Sequence, residues 1–213
     1  MRIALFGATG KTGSRVLEKA LAEGHTVRAL VRSPEKLGKR SDSLTVITGD
    51  MMNADDVGET IRDVDSVVMA AGPTKSSPVD MLEVSARNIT GAMKEAGVAR
   101  LVWLTGAGVV DERDGKAASR TIVRGLMKLF AGKVLAASER AYDIVKGSGL
   151  EYTIVRPPML ADEPGGTDLS ASYTPPKPIP VGRDDLAEFL LSAAVTGEYV
   201  GESPLLSYAG RSK

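Results

Sequence analysis

Ile3-Ala4-Leu5-Phe6, followed by Gly7-Ala8-Thr9-Gly10-Lys11-Thr12-Gly13, is the stretch that decides the fold of this 213-residue chain. A short apolar run meets three glycines spaced Gly-x-x-Gly-x-x-Gly, and a helical pattern begins directly behind them. Glycine lets the backbone turn tightly and approach a pyrophosphate without a Cβ in the way. The following helix offers unpaired N–H groups to the phosphates. The stretch predicts a dinucleotide-binding turn, with a plain tight turn as the alternative; its candidate contacts are Gly7, Thr9, Gly10, Lys11, Thr12 and Gly13.

The composition excludes several classes of protein. Lys plus Arg and Asp plus Glu both total 27, so no global field favours nucleic acid or an anionic membrane. The absence of cysteine excludes disulfides, thiolate catalysis and cysteine-built metal sites. The single histidine, His25, lies in a predicted turn, so no metal site is predicted. No apolar segment approaches the ~20 residues that span a bilayer, and no secretory signal is evident. We therefore expect a cytoplasmic protein.

Strand patterns alternate with helical patterns along the chain. Further strands are predicted at 27–31, 44–48, 66–70, 101–104, 152–155 and 204–208. The main helices are predicted at 13–22, 79–96 and 117–146, the last with a break near Gly132. Such alternation favours right-handed βαβ units. The sequence therefore predicts an α/β fold, with a doubly wound parallel sheet in a single domain that covers residues 1–213.

The end of the second predicted strand decides which nicotinamide cofactor fits. An NAD-preferring site would place Asp or Glu there for the ribose 2′-OH. This chain has Arg32 and Ser33 instead. A guanidinium can pair bidentately with a 2′-phosphate, and a hydroxyl can add a bond. NADP(H) is therefore favoured over NAD, with Arg28 of the same strand as a possible helper; a solvated Arg32 in a turn is the alternative.

Ligands of such sheets bind beyond the carboxyl ends of the strands, so the other strand ends supply the remaining candidates. Asp50 follows the third strand, where it either accepts from the adenine amino group or caps the helical segment at 54–61. Small residues follow the fourth strand, where ribose and pyrophosphate would pass. The fifth and sixth strand ends are expected at the nicotinamide. Besides Asp50, these candidates are Met51, Ala71, Gly72, Thr105, Gly106, Pro157 and Pro158.

Two residues are candidates for catalysis. Thr105 lies where the nicotinamide should arrive, and Tyr142 is a possible proton donor in a chain with few aromatic residues. Simple packing is the alternative for Tyr142. Residues 161–180 form the one long stretch without a clear pattern. Because they are rich in Gly and Pro, they are predicted to be a loop that covers the substrate side.

These motifs resemble the atypical short-chain dehydrogenase/reductase proteins. The residues that carry the resemblance are Gly7-Ala8-Thr9-Gly10 with Gly13, Val31-Arg32, Gly49-Asp50, Ala86-Arg87-Asn88-Ile89, the stretch from Ser148 to Pro158, and Asp184-Asp185-Leu186-Ala187. The nearest branch looks like the NAD(P)H-binding NmrA-like proteins and the flavin reductase/biliverdin-IXβ reductase group. The resemblance implies a Rossmann fold that binds NADP(H), and hydride transfer to a flavin, a linear tetrapyrrole or a quinone-like acceptor.

The chain departs from that family at two points. Gly106 stands where the reductases carry a serine. Tyr142 and Lys146 have the spacing of a Tyr-x-x-x-Lys pair, but they fall later in the helix than the pair normally does. Three functions therefore stay open: an NADPH-dependent reductase of a small planar acceptor, a non-catalytic NADP(H)-sensing regulator, and an isomerase or epimerase. A regulator would act through a protein partner, and a homodimer is possible; neither nucleic acid nor membrane is expected as a partner.

Overall fold

A computed structural model describes residues 1–38, 41–74, 76–115, 118–163, 166–177 and 179–211 of the chain. The side chains of 118–131 and 211 are outside that description. The strands are β1 (Arg2–Phe6), β2 (Thr26–Val31), β3 (Leu44–Thr48), β4 (Ser66–Met69), β5 (Arg100–Leu104), β6 (Glu151–Val155), β7 (Leu160–Ala161), β8 (Gly166–Ser172), β9 (Val181–Gly182) and β10 (Leu205–Arg211). The helices are α1 (Lys11–Ala22), α2 (Ala54–Ile61), α3 (Met81–Ala96), α4 (Ala118–Lys146) and α5 (Arg183–Thr196), with a 3-10 turn at Pro34–Lys36.

The first six strands form one parallel sheet in the order β3-β2-β1-β4-β5-β6. The predicted doubly wound sheet is confirmed. The strand order reverses between β1 and β4, and Phe6 at the end of β1 lies beside Leu30 of β2 and Met69 of β4. A crevice opens at such a reversal, beyond the carboxyl ends of the strands. The glycine turn directly follows Phe6 and therefore lies at this crevice.

Helices cover both faces of the sheet because its strands are apolar on both sides. Ile3 and Leu5 pack with α1 and α5 on one face, whereas Ala4 and Phe6 pack with α2, α3 and α4 on the other. All four of these side chains are at most 1% exposed. Burying each of the larger ones contributes about 1.5–3 kcal/mol. Two apolar layers thus fix β1 at the centre of the molecule and hold the glycine turn rigidly at its end.

The helix predicted at 117–146 is continuous where the structure describes it, from Ala118 to Lys146. The expected break near Gly132 is wrong. One glycine in a helix costs only about 1 kcal/mol relative to alanine. Burial of Leu135, Ala141 and Val145 in the core outweighs that cost.

The loop predicted at 161–180 is also wrong in part. This stretch includes β8, which pairs antiparallel with β10, and it follows β7, which pairs in parallel with β9. The strand predicted at 204–208 is confirmed as β10, although it lies outside the central sheet. Just before it, the chain runs along the edge of β6, where the Ile154 and Arg156 N–H groups donate to Glu202 and Pro204 carbonyls. Among the described residues, no helix is both long and apolar enough to cross a membrane.

Candidate functional site

A cleft of about 750 Å³ opens at the carboxyl ends of β1, β2, β4 and β5. Its size is within the range of small-molecule and cofactor sites. It runs from the residues after β2 and β3, past the glycine turn, to the residues after β5 and one turn of α4. Of the predicted contacts, those that line it are Gly7, Thr9, Gly10, Lys11, Thr12, Arg32, Asp50, Met51, Ala71, Gly72, Thr105 and Gly106.

The glycine turn is built by two close backbone approaches. Gly7 has a φ of +91°, and a Cβ there would lie 2.7 Å from the Ala71 nitrogen after β4. A Cβ on Gly13 would lie 2.1 Å from the Gly7 carbonyl oxygen. Only glycine tolerates both conditions. Gly13 itself does not line the cleft; it lets the start of α1 pack onto the turn. No side chain caps α1 at Gly10, so its first N–H groups suit an anionic ligand.

Arg32 lies in the wall of the cleft at the end of β2, and its side chain is exposed. Arg28 does not share this role. Its guanidinium donates to the Glu59 and Thr60 carbonyls of α2 at 2.6 and 3.2 Å and pairs with the Glu59 carboxylate at 3.0 Å. Ser33 is not in the cleft wall, whereas Lys36, the last residue of the 3-10 turn, is. This end of the cleft therefore presents two cations, Arg32 and Lys36.

Asp50 also lies in the cleft wall, and it does not cap α2. The cap is Asn53, whose side-chain oxygen accepts from the Asp55 and Asp56 N–H groups. The alternative of Asp50 as a helix cap is wrong, since the chain makes one more turn before the helix begins. The Asp50 carboxylate accepts from the Met52 N–H at 3.0 Å. This bond orients the carboxylate and leaves acceptor capacity for a ligand.

Thr105 and Gly106 line the cleft after β5, but Pro157 and Pro158 do not. The Pro157 carbonyl instead accepts from the Ala107 N–H at 3.0 Å. It ties the end of β6 to the loop after β5, so the carboxamide contact predicted for this backbone finds no support in the geometry. The wall beyond Thr105 is mainly apolar, with the hydroxyl of Ser138 and the guanidinium of Arg183 as its polar groups. Its apolar residues were missed by sequence reasoning: Val109, Val134, Leu135 and Leu160.

Tyr142 lies outside the cleft wall, one helical turn below Ser138, which lines it. Its side chain is 4% exposed, and its hydroxyl donates to the buried carboxylate of Asp111. Burial and this bond raise the pKa of Tyr142 to about 12. Lys146 approaches the same carboxylate at 3.5 Å. The Tyr142–Lys146 pair therefore serves a buried polar cluster, and the proton-donor role predicted for Tyr142 finds no support in the geometry.

Burial alone would raise the pKa of Asp111. Hydrogen bonds from Arg113 and Tyr142 reverse this and hold that pKa well below its ordinary value. The Arg113 guanidinium also stacks on the Tyr173 ring, 4.3 Å from its centroid. Asp111 therefore stays ionised and fixes the loop between β5 and α4 behind the cleft.

A family of proteins described as NAD(P)H-binding matches residues 7–196, which is most of the chain. The chain belongs to the NAD(P)H-binding family. This confirms the resemblance to NAD(P)H-binding proteins that the glycine turn and the other motifs indicated. The matched region begins at Gly7 and ends with α5, so it includes every strand of the central sheet except β1.

Individual proteins extend the comparison. The chain is 30% identical over 172 residues to an uncharacterised chloroplastic protein of Arabidopsis thaliana; the match covers 76% of this chain and 60% of that relative, less than two thirds of its length. ChuY, an anaerobillin reductase of Escherichia coli O157:H7, has a TM-score of 0.79 at 22% identity, with both chains covered completely. A Veillonella parvula short-chain dehydrogenase/reductase solved with NADP has a TM-score of 0.78 at 15% identity, covering 99% and 95% of the two chains. Identities this low establish the shared fold.

The cleft of this NAD(P)H-binding protein fits an extended dinucleotide by three independent features. The glycine turn packs so closely on the residues after β4 that Gly7 admits no Cβ, and it ends at the uncapped start of α1, whose first N–H groups suit a phosphate. Arg32 and Lys36 lie at the end of β2, where the adenosine ribose of a dinucleotide would be held. Small residues, Ala71 and Gly72, line the path between the adenosine and nicotinamide ends. Together, these residues can hold both charged groups of NADP(H).

Proposed function

We propose that this chain is an NADPH-dependent reductase of a planar acceptor, such as a flavin, a quinone or a linear tetrapyrrole. The observation that carries the proposal is the continuity of one cleft from Arg32 to the apolar wall beyond Thr105. Its polar part has the residues for a dinucleotide. Its apolar part, lined by Val109, Val134, Leu135 and Leu160, suits a flat ring system stacked on a nicotinamide.

In this proposal, Arg32 binds the 2′-phosphate and the first turn of α1 binds the pyrophosphate. The NADP preference rests on Arg32, because an acidic residue at that place would repel the phosphate. A bound nicotinamide supplies a hydride. The chain itself contributes orientation and exclusion of water, since the wall around Thr105 is largely apolar. Thr105 presents a hydroxyl at the nicotinamide end and is proposed to orient the acceptor by a hydrogen bond.

The test is steady-state oxidation of NADPH in the presence of FMN, a naphthoquinone or biliverdin. We expect turnover with at least one of these acceptors and weaker turnover with NADH in place of NADPH. A Gly13→Val variant is the matched control, because its side chain would collide with the Gly7 carbonyl and destroy the turn. NADPH binding without oxidation by any acceptor would contradict the proposal.

A second candidate is a non-catalytic sensor of NADP(H) that changes a protein partner or a homodimer contact. Gly106, which offers no hydroxyl beside Thr105, and the engagement of Tyr142 with Asp111 favour it. The test is a pull-down of tagged protein with NADP⁺ or NADPH. A partner whose recovery depends on the oxidation state of the cofactor would support the sensor. The cytoplasmic location remains part of both proposals, and an epimerase of the same fold ranks below them.

A further inference from the structure

Asp162 and Arg183 lie side by side because of the pairing of two short strands. Leu160 and Ala161 of β7 are in parallel register with Val181 and Gly182 of β9. Asp162 and Arg183 are the next residue on each strand. The Arg183 Nη1 atom lies 3.0 Å from the Asp162 Oδ1 atom. The contact is thus set by the backbone, between residues that are far apart in the sequence.

The same Asp162 carboxylate faces cations from α1. Its Oδ2 atom lies 3.0 Å from Lys11 Nζ, and its Oδ1 atom lies 3.7 Å from an Arg15 nitrogen. Lys11 and Arg183 line the cleft, whereas Arg15 does not. The hydrogen bond from Lys11 lowers the pKa of Asp162, so that this side chain stays ionised at neutral pH. One carboxylate therefore balances two cations that border the proposed cofactor and acceptor space.

These two cations occupy unfavourable places in their helices. Lys11 is the first residue of α1, and Arg183 is the first residue of α5. The dipole of a helix disfavours positive charge at its N-terminus by about 0.3–1 kcal/mol. An anion beside both residues reverses that cost. The first turn of α1 has no acidic residue, whereas that of α5 contains Asp184 and Asp185, so at Arg183 it is the guanidinium that favours an anion.

The ion pair between Asp162 and Arg183 is weak. Its side chain is 50% exposed, and that of Arg183 is 18% exposed. Ion pairs between side chains in contact with solvent contribute only about 0–1 kcal/mol. A phosphate or carboxylate that pairs bidentately with a guanidinium makes a stronger, charge-assisted bond. An anionic ligand group in the cleft can therefore replace Asp162 at Arg183.

We infer that the acceptor carries a phosphate or carboxylate group, and that Arg183 binds this group in exchange for Asp162. The inference rests on the proposed reductase function and deepens it. Lys11, on the other side of Asp162, is the residue expected at the cofactor pyrophosphate. Leu160 of β7, which pairs with β9 just before Arg183, belongs to the apolar part of the cleft. The inference therefore assigns Arg183 to the acceptor side, where it would separate anionic from neutral acceptors of the same ring system.

FMN and riboflavin test this inference, because they share the reacting ring and differ by one phosphate. The quantity to measure is the ratio of kcat/KM for FMN to that for riboflavin. With Arg183→Gln, we expect the ratio to fall by about tenfold or more, as the loss of a bidentate charged contact predicts. With Asp162→Asn, we expect it to rise by about threefold, because a competitor of weak affinity is removed. Arg15→Gln is the matched control, because it removes another cation beside Asp162 that does not line the cleft.

Binding gives a second readout without turnover. Quenching of flavin fluorescence by NADP⁺-saturated protein yields the Kd of each flavin, and the Kd ratio should shift in the same direction as the kinetic ratio. Ratios unchanged in Arg183→Gln, with both flavins still reduced, would overturn the inference and leave the proposed function intact. A shift as large in Arg15→Gln would also overturn it. Failure to reduce any acceptor would instead overturn the proposed function, and the inference with it.

Discussion

The Arg156 guanidinium and the Asp114 carboxylate form a buried ion pair with two bonds, 2.6 Å from Nη2 to Oδ1 and 2.8 Å from Nη1 to Oδ2. Their side chains are 0% and 2% exposed. Arg156 also donates to the carbonyls of Ser203 and Val109. One side chain thus holds the end of β6, the loop after β5 and the segment before β10 in one place.

Removal of one partner from this pair should destabilise the fold strongly. We expect Asp114→Asn to lower the free energy of unfolding by about 3–5 kcal/mol, because the Arg156 charge would stay buried without its counter-ion. Glu83→Gln is the control. Glu83 pairs with Arg87 of α3 at 3.0 Å and with Arg140 of α4, and both arginine side chains are exposed; each such pair contributes about 0–1 kcal/mol. Urea denaturation measures both. Equal losses in the two variants would contradict the role given to burial.

The cofactor preference should depend on Arg32. We expect Arg32→Glu to weaken NADPH binding relative to NADH by about tenfold or more, since a bidentate phosphate contact becomes a repulsion. Titration of the protein with each cofactor gives the ratio of the two Kd values. Arg28→Gln serves as the control, because its guanidinium is engaged with α2 and should not affect the ratio. An unchanged ratio in Arg32→Glu would exclude the 2′-phosphate role.

Gly106 offers a place to add a hydroxyl to the cleft. A Cβ at this position would meet no heavy atom within 4 Å, so Gly106→Ser should change the stability by no more than about 0.5 kcal/mol. A positioned proton donor contributes up to about 10²–10⁴-fold to a rate. If proton donation limits the reductase, kcat should rise in this variant. A fall in kcat with an unchanged melting temperature would show that the hydroxyl obstructs the acceptor.

The hydroxyls of two tyrosines should lose their protons at a higher pH than usual in the folded protein. Burial, followed by the bond to Asp111, raises the pKa of Tyr142 to about 12; burial and the bond to Asp185 do the same for Tyr208. Because the pKa of each tyrosine is higher in the folded state than its ordinary value of 10, the protonated hydroxyl contributes to the free energy of unfolding. This contribution is complete below pH 10 and is lost as the pH rises through about 12. Ultraviolet titration should therefore detect tyrosine ionisation coupled to unfolding. In Tyr142→Phe, the free energy of unfolding should fall less steeply between pH 10 and 12. The same pH dependence in the variant and the unchanged protein would contradict the raised pKa of Tyr142.

The sequence predicts the central sheet and most of the cleft because their signals are local. An apolar run before Gly7 and a helical pattern after Gly13 are both visible within a few residues. Strand ends such as Arg32 and Asp50 follow directly from the order of a parallel sheet. What these signals cannot supply is the direction of a side chain. Arg28 lies in β2 and Arg32 directly follows that strand, four residues later, yet Arg28 is bound to carbonyls of α2 whereas Arg32 lies in the cleft wall.

Features that depend on contacts between distant residues could not be predicted. β8 is rich in Ser and Thr, half exposed, and pairs with β10 more than thirty positions away, so no hairpin signal precedes it. The sequence does not show that the Tyr142 hydroxyl is bonded to Asp111, which belongs to the loop after β5. The pairing of β7 with β9 brings Arg183 beside Asp162 at the cleft. The position of Arg183 at the start of a helix, where a cation is disfavoured, was a signal that could have singled it out.

The segment that runs along β6 has a consequence for self-association. An uncovered edge strand presents a row of free N–H and C=O groups and is a template for aggregation. Here, the N–H groups of Ile154 and Arg156 are already bonded to Glu202 and Pro204, so a second chain cannot add a strand at that side. Within the described part of the chain, β3 ends the sheet on the other side. Copies of this protein that extend the central sheet must therefore meet at β3.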